Sequence, residues 1–397
     1  MNAHLKLPID LRAPPPVAHG DVTAPTKARA PSVPMGPQAA PNPGTLRAPR
    51  ALPVLQEKPA TPLEALRSKI DLYPRTDAAP PPRSVRVSVT DRCDFACTYC
   101  RPSHSDGYAD GRLEVRVWRT MFEGLRRAGV ERVRLTGGEP LIHPEIIAIV
   151  RELTAVGFMD VALTTNASQL ARLARPLAAA GLHRLNISID TLDPARFKAV
   201  TRGGDLAKVL AGIDAALDAG FAPIKLNTVV LRGVNDDELE PILLWAWERR
   251  MVPRFLEVMP IAEGARLVRE HLVTVSEMRA RLADHLVPDD LRADPGLGPA
   301  KYTRALRDDA LRVGFISGTS DTYCDTCDRL RVSSQGILRP CLATDDGVDA
   351  SAEARRGDLL GIADRITEAW TLKPDGEVWK GCTEDSAAGV SMRAIGG

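Results

Sequence analysis

The chain has 397 residues, with 52 Lys+Arg against 51 Asp+Glu, 44% apolar residues, 7 cysteines and 32 prolines. A length near 400 allows two domains or one large α/β barrel. The near-neutral charge argues against a nucleic-acid or anionic-membrane binder. No run approaches the roughly 20 apolar residues of a membrane span, since residues 241–247 stop at Glu248.

In chain order, residues 1–83 hold 18 of the 32 prolines, and residues 1–60 carry three acidic residues against seven basic ones. Such a segment buries too little apolar surface to offset its ordering entropy, so a disordered Pro/Ala-rich extension is expected over 1–83. An organellar transit peptide is the other reading, and the prolines oppose its amphipathic helix. A short helix is expected near 63–72. From residue 84 the period changes. Alternating β-like runs fall at 85–90, 133–136, 161–165, 185–190, 224–230 and 255–259, with helix-length amphipathic segments at 115–129, 144–157, 168–181, 205–220 and 236–251. Gly129, Gly157, Gly181 and Gly220 end four of these segments, as residues just past a helix do. Six strands alternating with helices imply a parallel sheet, either an open barrel or a doubly wound sheet. A Pro/Gly/Asp stretch at 288–299 sets off a last portion. The expected organisation is therefore 1–83 extension, 84–287 barrel and 288–397 C-terminal region.

The cysteines fall at 93, 97 and 100, then at 324, 327 and 341, with Cys382 left over. Two triplets with short internal spacings read as two metal sites, which implies a reducing, cytoplasmic setting. The first, Cys93-Asp-Phe-Ala-Cys97-Thr-Tyr-Cys100, is C-x3-C-x2-C directly after the first strand. Three thiolates in one loop can hold three irons of a cubane and leave the fourth open. A zinc knuckle completed by His104 is the alternative that the spacing alone leaves standing. The second triplet, C-x2-C-x13-C, is equally open between a structural zinc site and a cluster. Arg329 and Arg331 adjoin it. Two residues apart on a strand they point the same way, as a polyphosphate site would use them.

The first triplet, Tyr99 beside its last cysteine, and Gly137-Gly-Glu-Pro140 after the second strand together resemble the radical S-adenosylmethionine (SAM) superfamily. From residue 84 onward the chain resembles one branch of it, the GTP 3′,8-cyclases of molybdenum cofactor biosynthesis. The likeness rests on Arg86-Val-Ser-Val-Thr-Asp-Arg-Cys93, Arg134-Leu-Thr-Gly-Gly-Glu-Pro140, Leu163-Thr-Thr-Asn166 and Asn186-Ile-Ser-Ile-Asp190. Lys225-Leu-Asn227, Arg254-Phe-Leu-Glu257, Gly298-Pro-Ala300, the second cysteine spacing and Ile395-Gly-Gly397 complete it. The resemblance implies an incomplete (βα)6 TIM-like barrel with a C-terminal region carrying a second iron–sulfur cluster. It implies a lyase in which a 5′-deoxyadenosyl radical removes hydrogen from C3′ of GTP, giving 3′,8-cyclo-7,8-dihydro-GTP.

By the same resemblance, Cys93, Cys97 and Cys100 would hold a [4Fe-4S] cluster with SAM. Cys324, Cys327 and Cys341 would hold a second [4Fe-4S] cluster with the substrate. SAM contacts would come from Tyr99, Gly138, Ser188 and Met259. GTP contacts would come from Arg86, Arg134, Thr164, Lys225, Arg329, Leu330 and Arg331, with Arg132 as a further phosphate ligand. An external electron donor, a homodimer and a Gly-Gly tail reaching into the active site are also implied. Another radical SAM enzyme with an auxiliary cluster, acting on a peptide or cofactor precursor, is the competing function. Three positions depart from the family pattern: Asp328 for Asn, His143 for a basic residue and Ala167 for Gly. Asp328 is expected to weaken attraction for a triphosphate.

Overall fold

A computed structural model describes residues 82–101, 108, 110–293 and 298–374 of the chain. The extension before residue 82, the expected helix near 63–72, His104, Cys382 and the Gly-Gly tail lie outside these described residues.

The first six strands are β1 Ser84–Ser88, β2 Arg132–Thr136, β3 Asp160–Thr165, β4 Arg184–Ser188, β5 Lys225–Val230 and β6 Val252–Glu257. Between them run α1 Val115–Arg127, α2 Ile146–Ala155, α3 Leu170–Ala179, α4 Pro194–Thr201, α5 Leu206–Asp218 and α6 Leu239–Glu248. All six strands are parallel and stand in sequence order. That order decides between the two expected architectures. A doubly wound sheet reverses its strand order at a switch point, and this one does not. Right-handed crossovers therefore place every helix on one face, as in a barrel.

Strand composition follows. Val85, Val87, Val133, Leu135, Val161, Leu163, Leu185 and Ile187 are buried in the helix-side core. The alternate positions Arg86, Arg134, Thr164, Asn186 and Ser188 face the lumen. Gly129, Gly157, Gly181 and Gly220 take φ of 90°, 81°, 88° and 87°, the left-handed geometry expected just past a helix.

Two features differ from the sequence reading. The sixth strand begins at Val252 and contains Pro253, where periodicity predicts a strand over 255–259. Val252 N–H donates to Ile224 O, so by alternation the nitrogen of Pro253 points to the other side. There the next strand pairs only from Arg254 onward, and no ladder bond is lost. The helix α4 is not expected from the pattern; it opens on Asp193, whose carboxylate accepts from Arg196 N–H, with Pro194 as first helical residue.

Two short helices follow, α7 Glu263–His271 and α8 Val275–Arg281. The later chain then extends both edges of the sheet. Strand β7 Arg292–Ala293 and β8 Lys301–Arg304 run antiparallel, ending on β9 Arg312–Ile316, which is parallel to β6. At the opposite edge β10 Arg329–Val332 lies parallel to β1 and carries β11 Ile337–Arg339 and β12 Val348–Asp349. The result is an open 12-stranded sheet with eight parallel strands at its centre. Helices α9 Ser351–Arg356 and α10 Leu359–Thr371 close the described chain. A Cβ added at Gly124 of α1 would stand 2.4 Å from the Ile362 side chain of α10, so the two helices meet closely. No helix among the described residues is long and apolar enough to cross a membrane.

Candidate active site

Register places the triplets at opposite ends of β1. Cys93 follows the carboxyl end of that strand, while Cys327 precedes Arg329, which pairs with Ser84 at its start. A five-residue strand spans about 13 Å between its end residues. The lumen between the two ends is cationic toward the second triplet. Arg86 pairs in register with Arg134 on one side and Arg331 on the other, and Lys225 and Arg254 stand on the opposing strands. Lys225, Arg254 and Arg331 are buried, and Arg86, Arg134 and Arg329 border a cavity of about 440 Å³. Toward the carboxyl ends the lumen carries Thr164, Ser188 and Asn227 instead.

Crowding of like charge shows in the titration of these groups. Burial, then Arg331, Arg329 and Arg134, holds the Arg86 guanidinium well below its ordinary range. Burial with Arg254, Arg184 and Arg329 brings Arg134 down to about 9. Burial and Arg329 bring Arg331 down to about 10, and burial with Arg254, Arg184 and Arg134 brings Lys225 down to about 7. The carboxylates lining this cavity are already engaged. Asp160 pairs with Arg184, and Asp328 accepts from Arg132 at 2.5 Å. Arg134 Nε, Arg254 Nε, Asn186 Nδ2 and Asn227 Oδ1 are buried without a hydrogen-bond partner among the described residues. Buried cations and orphaned polar atoms are costly unless a bound group completes them. A polyanion with hydrogen-bonding edges is the chemistry that does so.

The first triplet is fixed by the loop after β2. Gly138 N–H donates to Thr90 O at 2.7 Å and Glu139 N–H to Arg92 O at 2.8 Å. A Cβ on Gly137 would lie 2.3 Å from Thr90 O, and one on Gly138 2.3 Å from Arg92 O. These glycines are thus required by the cysteine loop itself. The Glu139 carboxylate accepts from Leu141 N–H, Asn166 N–H and the Thr165 hydroxyl, tying the loop to the end of β3. Burial raises Glu139 to about 8 against these donors.

Tyr99 donates to Asp190 Oδ2 at 2.7 Å, while Val229 N–H donates to Asp190 Oδ1. Burial lifts the Asp190 carboxyl to about 6. Met259 is packed by absence of side chains: a Cβ on Gly318 would meet its Cγ at 2.7 Å, and one on Gly264 its carbonyl at 2.4 Å. The side chains of Cys93, Cys97 and Cys100 are half-buried and carry no disulfide among the described residues. Burial, with Glu139 near Cys93 and Asp190 near Cys97, raises both of these thiols. Three such thiols on one loop suit a soft polynuclear cation that would hold them as thiolates.

The second triplet shares a cavity of about 460 Å³ with Tyr323, Arg329, Arg331, Pro340, Leu342, Lys373 and Pro374. Its three cysteine side chains are also half-buried and carry no disulfide among the described residues. Burial raises Cys327, but Arg329 and Lys373 outweigh it and bring the thiol down to about 7. The Arg329 guanidinium sits 4.7 Å from the Tyr323 ring centroid, and Tyr323 and Cys327 raise it against its burial. Among the described residues no three His, Cys, Asp or Glu side chains converge on a single ion. Corner ligands of a cubane, one per iron, need no such convergence.

Of the residues expected from sequence, Arg86, Arg134, Thr164, Lys225, Arg329 and Arg331 line the lumen, and Tyr99, Gly138 and Ser188 stand at its carboxyl-end side. Met259 follows β6 at that end. Leu330 joins the helix-side core beside Val85, so only its backbone borders the site. Sequence reasoning does not assign Arg254, Asn186, Asn227 or Tyr302. Arg254 donates to Asn186 Oδ1 at 2.8 Å, and Gly314 lets Arg254 and Tyr302 meet over it. The available signal is a polar residue at alternate positions of an otherwise aliphatic strand.

The departures also have structural partners. His143 is buried, accepts from Glu145 N–H through Nδ1 and is lowered to about 4 by burial and Arg112, so it serves as a neutral turn residue. Ala167 holds φ of 63° in the core, at a cost of about 1 kcal/mol relative to Gly.

Comparison with known proteins agrees with this geometry. Residues 87–246 match the radical SAM superfamily and residues 251–379 match the family described as Molybdenum Cofactor Synthesis C. GTP 3′,8-cyclase 1 of Pseudomonas aeruginosa is 43% identical over 301 residues, 73% of this chain and 89% of that protein. The GTP 3′,8-cyclase of Heliobacterium modesticaldum is 44% identical over 286 residues, 71% and 87% of the two chains. Among solved structures, Streptococcus suis SuiB bound to S-adenosylmethionine superposes with a TM-score of 0.52 at 13% identity, covering 73% of this chain and 68% of that one. SuiB bound to the precursor peptide SuiA gives 0.54, also at 13%, over 83% and 75%. At that identity the likeness concerns the fold.

Proposed function

The chain belongs to the radical SAM superfamily and, within it, to the GTP 3′,8-cyclases, and from that premise we propose how its residues divide the work. It converts GTP to 3′,8-cyclo-7,8-dihydro-GTP, the first step of molybdenum cofactor biosynthesis. When bound, a reduced [4Fe-4S] cluster with SAM supplies the 5′-deoxyadenosyl radical that takes the hydrogen from C3′ of the ribose. Cys93, Cys97 and Cys100 would hold that cluster, and Tyr99, Gly138, Ser188 and Met259 would hold SAM. Cys324, Cys327 and Cys341 would hold the second cluster on the substrate side.

The observation that carries the reading is the buried cationic lumen between the two triplets. Arg86, Arg134, Lys225, Arg254, Arg329 and Arg331 would bind the triphosphate, whose charge relieves their mutual repulsion. Thr164 at the carboxyl-end side would hydrogen-bond the nucleoside, and the surrounding walls would keep water from a reactive carbon. The same proposal includes the division into an 84–287 barrel and a 288–397 substrate-cluster region. It also includes an external electron donor, a homodimer and a cytoplasmic setting.

The test is anaerobic incubation of the reconstituted chain with dithionite, SAM and GTP. 5′-Deoxyadenosine and the cyclised nucleotide should form together. 5′-Deoxyadenosine that appears with a peptide and never with GTP would overturn the reading.

A further inference from the structure

Pairing between β10 and β11 stops at Arg331↔Arg339. Beyond it the two segments run on to Cys327 and Cys341 without a further ladder pair, so their carbonyls need other donors. One side chain supplies them. Lys373 Nζ donates to Arg329 O at 2.9 Å and to Pro340 O at 3.0 Å. Arg329 lies two residues past Cys327, and Pro340 immediately precedes Cys341. The ammonium also stands 4.8 Å from the Trp370 ring centroid and borders the cavity that contains all three thiols. Lys373 follows α10 by two residues, and the close approach of α10 to α1 at Gly124 fixes where that helix ends.

We propose that Lys373 is a positioning residue of the second triplet: its ammonium clasps the two segments that carry Cys327 and Cys341 and adds a positive charge to their cavity. The clasp replaces the missing rungs of the hairpin with two charge-assisted bonds from one side chain. A neutral residue there would let the Cys341 segment move relative to Cys327. This inference rests on reading the second triplet as a cluster site.

The experiment uses the full chain, reconstituted with iron and sulfide, in four forms: wild type, Lys373→Met, Lys373→Gln, and a reference with Cys324, Cys327 and Cys341 all changed to Ala. Iron and sulfide are counted, and each cluster is followed by electron paramagnetic resonance during a redox titration. The wild type should hold about eight irons and the triple-Ala reference about four. Lys373→Met and Lys373→Gln should fall toward the reference, or keep the iron with an altered second-cluster spectrum and a more negative midpoint. The first-cluster spectrum should stay unchanged in both. Either variant, folded by its melting curve, with wild-type iron, spectrum and midpoint overturns the clasp. A triple-Ala reference with as much iron as the wild type overturns the cluster reading itself, and the clasp with it.

Discussion

Cys93, Cys97 and Cys100 hang from one loop of eight residues, whereas Cys324, Cys327 and Cys341 come from two segments that meet because β10 and β11 pair. The first loop is held by backbone contact, with Gly137 and Gly138 pressed against the Thr90 and Arg92 carbonyls. The second is held by a long side chain, Lys373. Their electrostatics are opposite. Buried carboxylates, Glu139 and Asp190, raise the first thiols after burial itself, while Arg329 and Lys373 lower Cys327 against burial. Cluster potentials follow net charge and exposure. With clusters bound as proposed, Asp190 would make an electron harder to add at the first site, while Arg329 and Lys373 would make one easier to add at the second. One end of the lumen suits breaking a bond in a bound cation. The other suits receiving a polyanion.

The contrast breaks most sharply at Gly138. Its missing Cβ would overlap the Arg92 carbonyl, a backbone atom that cannot turn aside. Gly138→Ala should cost on the order of 3 kcal/mol in local geometry, roughly a hundredfold in SAM cleavage. Iron at the second site should survive, because none of the residues lining its cavity belongs to this loop. Counting iron and 5′-deoxyadenosine in the variant checks both halves. Simultaneous loss of all iron would show that the two sites fold as one unit.

The cationic end is probed by pH. Lys225 titrates near 7 in the ligand-free protein, chiefly because it is buried and secondly because Arg254, Arg184 and Arg134 face it. A bound triphosphate favours the ammonium, so its pKa in the complex is higher and binding takes up a proton. Affinity for GTP should be full below pH 7 and weaken above it, by up to about tenfold per unit until the pKa of the complex is reached. Calorimetry at pH 8 in two buffers of different ionisation enthalpy should show uptake of close to one proton. Lys225→Met should lose that uptake. Equal heats in both buffers for the unaltered chain would remove Lys225 from the phosphate site.

The two ends of the lumen also differ in how legible they are in the sequence. The first triplet and the strands β1 to β5 follow from local pattern, because alternation of Val and Leu with polar residues fixes both strand and face. The loop glycines are legible too, although the structure assigns them to the cysteine loop's backbone. At the other end the pattern fails. Strands β7, β11 and β12 have two or three residues each, too few for a period, and they form only by pairing with distant chain. Arg254 and Asn186 are hidden for a related reason. A charged residue in a strand reads as solvent-facing, yet inside a barrel the polar row faces an enclosed lumen. Lys373 lies just past a helix, where a lysine ordinarily reads as a dipole partner.

Asp328 offers the finest test of the cationic end. Its carboxylate accepts from Arg132 at 2.5 Å, and both residues line the cavity that holds Arg86, Arg134 and Arg329. Two effects oppose an arriving phosphate: the negative charge itself and the engagement of the Arg132 guanidinium that it holds. Both side chains are partly exposed, 30% for Asp328 and 19% for Arg132, so solvent screens the pair and the effect is modest. Asp328→Asn should tighten GTP binding by roughly three- to tenfold, about 1 kcal/mol. The gain should shrink with added salt. In an Arg132→Met background it should fall toward the bare repulsion between carboxylate and phosphate, because no guanidinium remains to be released. A double-mutant cycle therefore separates the two causes. An unchanged Kd in the single variant would mean that the triphosphate never reaches this wall, and would confine it to the rows of Arg86, Arg134 and Arg331.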